Sequence, residues 1–270
     1  MIKGARITVI GFGNMGQALA QGFIENGLKT DRIHAVDPDK KARDVAHDLG
    51  IDFSRDLSGL AHPPSVVLLA IKPQLMKDVL PSLREMAGET PFFLSIAAGT
   101  NIATLQKYLS KDARIVRAMP NTPAAIGYGM TVLTHSGNLA FQQLALAETL
   151  MACVGACEWL ENEDLMDAVT AVSGSGPAYF FYLIEALAKA GQKHGLEKKL
   201  AEKLAIETCR GAGQLAVYHK NTKSPEDLRK SVMSKGGTTE AAIEALQAQN
   251  FEKLIDEAVD AAVLRGQSLK

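Results

Sequence analysis

Cysteine is scarce in this chain, and neither sign of charge is in excess. Cys153, Cys157 and Cys209 are the three cysteines among 270 residues. Their number is odd, and there is neither a Cys-x-x-Cys pair nor a histidine cluster at zinc spacing. A disulfide framework and a structural metal are therefore not expected. Lys and Arg total 29 against 30 Asp and Glu, for a formal net charge of -1. Proteins that neutralise nucleic-acid phosphates carry a clear basic excess, so no nucleic-acid partner is expected. No stretch approaches the roughly 20 uncharged apolar residues that span a bilayer. Residues 1–10 also lack an apolar core of signal-peptide length. The expectation is a cytoplasmic protein with no membrane partner. The six histidines are scattered without a Ser/Asp or Cys/His pattern, which argues against a nucleophilic triad and against metal-assisted chemistry.

What the chain does have is aliphatic residues. Hydrophobic residues make up 47% and charged residues 22%, enough to build one large or two small cores. From Arg6 to about Leu160, β-branched or aliphatic runs alternate with helical patterns. The runs are Ile7–Ile10, Ile33–Val36, 66–71, 92–96, Ile115–Met119, 130–133 and 156–160. Continuous runs suit strands buried on both faces of a mostly parallel sheet, and their alternation with helices is that of consecutive βαβ units. Beyond Trp159 the β-branched clusters stop, and Ala, Leu, Glu and Lys dominate. The expected class is α/β: a Rossmann-type doubly wound parallel sheet over 1–162, followed by an all-α dimerisation domain over 163–270.

Ser173-Gly174-Ser175-Gly176-Pro177 reads as a helix start, with Ser175 or Gly176 at the cap and Pro177 at the first helical position. The helix over 178–190 is apolar nearly all round and calls for burial on several sides. Leu204, Ala205, Thr208, Ala212, Leu215 and Ala216 share one face; Phe251, Leu254, Ile255, Ala258, Val259, Ala262 and Val263 share another. Ordinary core packing covers each stripe singly, whereas together they point to an intertwined homodimer.

Gly11-Phe12-Gly13-Asn14-Met15-Gly16 follows the first run and opens a helical pattern over Asn14–Glu25. In that setting the first glycine permits a tight turn, the second lets backbone approach a pyrophosphate, and the third lets helix pack closely on strand. The pyrophosphate would sit on the helix N-terminus, whose N–H groups and dipole favour negative charge. A purely structural turn is the alternative. Asp37 ends the second run, where an acidic side chain accepts hydrogen bonds from a ribose 2′-hydroxyl and favours NADH. Lys40, Lys41 and Arg43 follow closely and could instead pair with the 2′-phosphate of NADPH, with Asp37 a mere cap. The choice between NADPH and NADH stays open. Ala70-Ile71-Lys72-Pro73-Gln74 and Ile96-Ala97-Ala98-Gly99-Thr100 fall where a doubly wound sheet gathers ligand contacts, beyond the carboxyl ends of its strands. Small residues at 97–99 let a ring or ribose lie against backbone, and Lys72 adds a cation.

Ser234-Lys235-Gly236-Gly237-Thr238-Thr239 lies between two helical patterns, one beginning near Pro225 and one running from Thr239. Backbone N–H groups, three hydroxyls and an immediate helix start make a receptor for a small carboxylate. A Gly-Gly turn capped by Thr238 or Thr239 is the plainer reading.

Taken in order, Gly11 to Gly16, Ala70-Ile71-Lys72-Pro73-Gln74, Ser95-Ile96-Ala97-Ala98-Gly99, Met119-Pro120-Asn121-Thr122-Pro123, Ser173-Gly174-Ser175-Gly176-Pro177-Ala178-Tyr179 and Gly236-Gly237-Thr238-Thr239 resemble pyrroline-5-carboxylate reductase. These motifs span nearly the whole chain. The resemblance implies NAD(P)H-dependent reduction of 1-pyrroline-5-carboxylate to L-proline, the last step of proline biosynthesis. It also implies a cytosolic enzyme whose helical domain interlocks into a homodimer, often assembled further into decamers in the family. By the same resemblance the loop from Ser234 to Thr239 binds the substrate carboxylate, with Ser234 and Thr239 the catalytic hydroxyls and Thr239 closest to the ring nitrogen. Glu163 lies near that site and Ser231 near the cofactor. Many members carry Pro where this chain has Lys235. No dedicated acid is evident, so the substrate is expected to arrive as iminium or to take its proton from water. A β-hydroxyacid dehydrogenase or imine reductase is the rival enzyme. It would place a catalytic Lys or Asp in the first helix of the second domain, and residues 178–184 offer neither. A non-catalytic NAD(H)-sensing protein has no use for the loop at 234–239.

Overall fold

The computed structural model describes residues 2–60, 62–87 and 91–268. They fall into two compact units, Met1–Ser175 with Ala262–Lys270, and Gly176–Ala261. Among the described residues no helix is long and apolar enough to cross a membrane.

The first unit is built on an eight-stranded sheet: β1 (Ile7–Ile10), β2 (Ile33–Val36), β3 (Asp52–Ser54), β4 (Val66–Leu69), β5 (Phe92–Ser95), β6 (Ile115–Met119), β7 (Gly129–His135) and β8 (Gly155–Trp159). Its order is β3-β2-β1-β4-β5-β6-β7-β8, and β6–β7 is its one antiparallel pairing among the described residues. Every residue of β1, β4 and β5 is buried, so both faces need cover. Val66 and Leu68 join a core with Leu19 and Phe23 from helix Asn14–Glu25, together with Leu150. Val67 and Leu69 point the other way, into a core with Met76, Leu83 and Leu105. The period-2 alternation of a strand thus feeds two cores, which is why these runs read as continuously apolar rather than alternating. The doubly wound α/β sheet expected from the sequence is the fold observed.

Three differences have physical causes. β3 was not anticipated: it is a three-residue edge strand, Asp-Phe-Ser, exposed or half-buried throughout, and so carries no apolar run. β7 reverses direction because the link from β6 holds only a 3-10 turn (Thr122–Ile126), closed by Gly127 at φ 75°. A parallel return needs a crossover of a dozen or more residues. Finally, the helix expected to start at Ser175 or Gly176 begins earlier. Helix Met166–Val169 runs into a π-turn over Thr170–Gly174 and on into helix Gly176–Lys193. The N–H of Ser175 reaches back to Thr170 O at 2.8 Å, so the Ser-Gly-Ser-Gly stretch is a wide helical turn and no cap.

The second unit continues through helices Lys198–His219, Pro225–Ser231 and Thr238–Ala248 and takes in helix Phe251–Gln267 as far as Ala261. Its own core is small: Ala188, Ala201 and Ala205, packed by Ile184. Phe180 and Tyr182 stand 58% and 73% exposed, and Leu204, Leu215, Leu254 and Ile255 are exposed as well. Packing within one chain therefore does not account for the two stripes. Apolar faces of this extent mark a surface covered by another protein chain.

Candidate active site

The glycine turn forms at the carboxyl edge of the sheet. Gly11 adopts φ 89°, and a Cβ there would stand 2.8 Å from the carbonyl oxygen of Ala70 and 2.7 Å from the side chain of Ile71. A side chain at Gly16 would meet Gly11 O at 2.6 Å, so helix Asn14–Glu25 can lie this close to β1 only with glycine at that position. At Gly13 no atom lies within 4 Å of where a Cβ would point; the backbone there is open. Gly13 is also the N-cap and supplies no side-chain cap, leaving the first N–H groups of a 12-residue helix available to an anion. A tight turn, an open approach and an uncapped helix start together fit a dinucleotide pyrophosphate.

Phe12 and Met15 serve the turn from within. The Phe12 ring is wholly buried in the core and Met15 packs against it, while Asn14 is exposed. The Phe12 N–H donates to Asp37 Oδ2 at 2.7 Å, and Asp37 Oδ1 accepts from Asp39 N–H at 2.8 Å. Asp37 thus ties β2 to the glycine turn, a role its position in the sequence does not reveal. β4 ends at Leu69, so Ala70 and Ile71 form the wall against Gly11. Lys72 is exposed, with Pro73 behind it opening a short 3-10 turn. Ala97 is buried, Ala98 half-buried, and Gly99 takes φ 73° before helix Ile102–Tyr108.

Glu163 sits at a junction. Its Oε1 accepts from Arg117 Nη1 at 2.8 Å and from the Ile102 N–H at 2.9 Å. One carboxylate oxygen therefore joins β6, the helix after the 97–99 loop, and the start of the helical part of the chain. Arg117 was not singled out from the sequence. Its signal was a lone charge in the apolar run Ile-Val-Arg-Ala-Met: an arginine there needs a buried acid. Asn121 is the second omission. Its side-chain amide donates to Ser173 O at 3.1 Å and its Oδ1 accepts from Met130 N–H at 2.9 Å. Pro177, four residues beyond Ser173, has no N–H to give that carbonyl, and Asn121 supplies the donor instead.

In the second unit Gly237 is the N-cap of helix Thr238–Ala248 and provides no side-chain cap. The Gly237 N–H is taken by Ser234 O at 2.9 Å and the Gly236 N–H by Glu240 Oε2 at 2.6 Å. The expected donors at the two glycines are thus occupied. The N–H groups of Thr238, Thr239 and Glu240 have no protein acceptor among the described residues. The Ser231 hydroxyl donates to Leu228 O at 2.7 Å within its own helix. Burial raises the Cys153 thiol and pushes that of Cys157 up to about 11, so neither is a thiolate nucleophile near neutrality.

A doubly wound sheet with an open, uncapped glycine turn, followed by a helical unit, is the arrangement of nicotinamide-dependent oxidoreductases. Residues 6–99 match the family model for NADP oxidoreductase, coenzyme F420-dependent, and residues 163–269 match the model for pyrroline-5-carboxylate reductase dimerisation. The chain belongs to the pyrroline-5-carboxylate reductase family. It is 40% identical to the pyrroline-5-carboxylate reductase of Pseudomonas aeruginosa, over 98% of this chain and 96% of that one. The structure of a pyrroline-5-carboxylate reductase from Coxiella burnetii is similar at a TM-score of 0.92 and 38% identity, covering 98% of each chain. The Plasmodium falciparum pyrroline carboxylate reductase crystallised with NADP bound is similar at 0.87 and 27% identity, covering 99% of this chain and 98% of that one.

Proposed function

We infer that this chain reduces 1-pyrroline-5-carboxylate to L-proline, the last step of proline biosynthesis, with NADPH or NADH as donor. What carries the reading is relatedness along 98% of the chain, so that the dinucleotide turn and the glycine-threonine loop come together from one family. We assign dinucleotide binding to residues 1–162 and substrate binding and dimerisation to 163–270. The chain acts in the cytoplasm as a homodimer through its helical part, with a decamer as the further assembly.

When bound, the reduced nicotinamide supplies the hydride. The chain's own work is to hold and orient. Gly11, Gly13 and Gly16 shape the pyrophosphate turn, and Asn14 opens the helix that faces it. Ala70 to Pro73 and Ala97 to Gly99 line the strand ends, and Ser231 approaches the dinucleotide. The Thr238, Thr239 and Glu240 N–H groups receive the substrate carboxylate. The Thr239 hydroxyl orients the ring nitrogen, with Ser234 as the second hydroxyl. Glu163, whose Oε1 is committed to Arg117 and Ile102, is assigned to substrate binding by family resemblance. A cyclic imine accepts hydride better when protonated, and with no dedicated acid the proton arrives with the iminium or from water. Transfer requires donor and acceptor carbons near contact distance, and a ring fixed by its carboxylate contributes several kcal/mol towards that alignment.

Following nicotinamide oxidation at neutral pH with 1-pyrroline-5-carboxylate and each cofactor in turn tests the reading. Cofactor oxidation matched by L-proline formation is expected, and its absence with both cofactors rejects it. Asp37→Ala should raise KM for both cofactors, because the turn loses its tie at Phe12. The rise should be larger for NADH, moving the kcat/KM ratio towards NADPH by about tenfold, the scale of one hydrogen bond to a charged group. An unchanged ratio would remove Asp37 from ribose recognition.

A further inference from the structure

The loop from Ser234 to Thr239 has to present its free N–H groups in one arrangement, and packing does not hold it there. Gly236 adopts φ 72° with no atom within 4 Å of a Cβ position. Ser234, Lys235 and Gly236 are exposed. A loop with two adjacent glycines has more backbone freedom to lose on ordering than any other composition. One side chain supplies the restraint. Glu240 is the third residue of helix Thr238–Ala248, the position from which a carboxylate in a capping box reaches back to the N-cap N–H. Here the N-cap N–H, on Gly237, is already bound to Ser234 O, and Glu240 reaches one residue further, to Gly236 N–H at 2.6 Å. The two bonds close the glycines in series and leave the N–H groups of Thr238, Thr239 and Glu240 for a ligand.

We propose that Glu240 is the positioning residue of this loop, its carboxylate holding Gly236 in the left-handed conformation that keeps the carboxylate receptor open. The proposal rests on the reading of this loop as the substrate-carboxylate site. Glu240 touches neither reacting atom; it acts through Gly236. Its charge is engaged by an N–H yet lies beside the helix end that receives another anion, so an uncharged acceptor of the same length should serve as well or better. Lys235 forms no ion pair among the described residues, and its N–H donates no backbone hydrogen bond. A proline there would therefore stiffen the loop without costing a contact.

The test compares wild type with Glu240→Ala, Glu240→Gln and the double variant Lys235→Pro/Glu240→Ala. Glu240→Ala should raise KM for 1-pyrroline-5-carboxylate about tenfold, the scale of a charge-assisted hydrogen bond to backbone, with kcat within about twofold and KM for the nicotinamide cofactor unchanged. Glu240→Gln should match or fall below the wild-type KM, and Lys235→Pro should recover most of the loss. A merely structural role would lower thermal stability without this split. Hydrogen exchange reads the same claim without turnover: the Gly236 amide should be slowed in wild type and Glu240→Gln and fast in Glu240→Ala. Equal exchange in all three, or an unchanged or lowered KM in Glu240→Ala, overturns the proposal. Failure of wild type to reduce the pyrroline rejects the functional reading instead, and the exchange result still decides whether Glu240 holds the loop.

Discussion

Thr239→Ala should lower kcat/KM for 1-pyrroline-5-carboxylate by about 100-fold, within the range for losing a single oriented donor at a reacting centre. The loss should fall on kcat more than on KM, because the backbone N–H groups proposed to receive the carboxylate survive the substitution. Folding should be nearly unaffected: Thr239 lies in the first turn of helix Thr238–Ala248, where no side chain caps the end, and alanine is the better helix former. Thr239→Ser, which keeps the hydroxyl, should stay within severalfold of wild type. Steady-state kinetics on the three proteins, with thermal melts to show equal folding, make the measurement. Wild-type turnover in Thr239→Ala would take the hydroxyl out of the reaction and leave the loop only its backbone role.

The largest effect on stability is expected from Glu163→Ala. Arg117 and Glu163 lie 2.8 Å apart with their side chains 3% and 26% exposed. Removing the acid strands a guanidinium inside the sheet. Breaking a buried pair in this way costs about 3–5 kcal/mol, and partial exposure of Glu163 puts this case near the lower end, at about 3 kcal/mol. For a unit of this size the melting temperature should fall by roughly 6–12 °C. The loop at 97–99 should loosen as well, because the Ile102 N–H loses the same acceptor, and KM for the nicotinamide cofactor should rise. Glu163→Gln keeps an acceptor for both donors and should recover part of each effect. A melt for Glu163→Ala within 1 °C of wild type, or about 0.3 kcal/mol, would show that Arg117 is satisfied without it.

The sheet was legible because burial on both faces leaves the plainest mark a strand can make. Ile7–Ile10 and Ile115–Met119 have the bounds read from the sequence, and the run at 66–71 overshot only where Ala70 and Ile71 turn to face Gly11. β3 left no mark, since three half-exposed residues at an edge need no apolar pattern. The conformations at Gly11 and Gly16 were readable for a similar reason: a backbone that tolerates no Cβ admits one residue type. Polar contacts over long sequence separations were not readable. Nothing local in Asp37 announces Phe12, and nothing in Glu240 announces Gly236 rather than Gly237. Glu163 was marked only through family resemblance, and its bonds to Arg117 and Ile102 span 46 and 61 residues. Pro177 drew a helix start from local rules, and the π-turn before it, with a donor borrowed from Asn121, overrode them.

That borrowed donor governs how sequences of this family can be recombined. The family model for the helical part begins at residue 163, which makes the bond between 162 and 163 look like a natural splice point. A chimaera joined there would set the Asn121 amide of one parent against the 173 backbone carbonyl of the other, and the Arg117 of one against the side chain at 163 of the other, so both junction contacts would cross between parents. Joining after Ser175, where the first segment of that compact unit ends and its second, from Ala262, is still to come, inherits each of these two pairs intact from one parent.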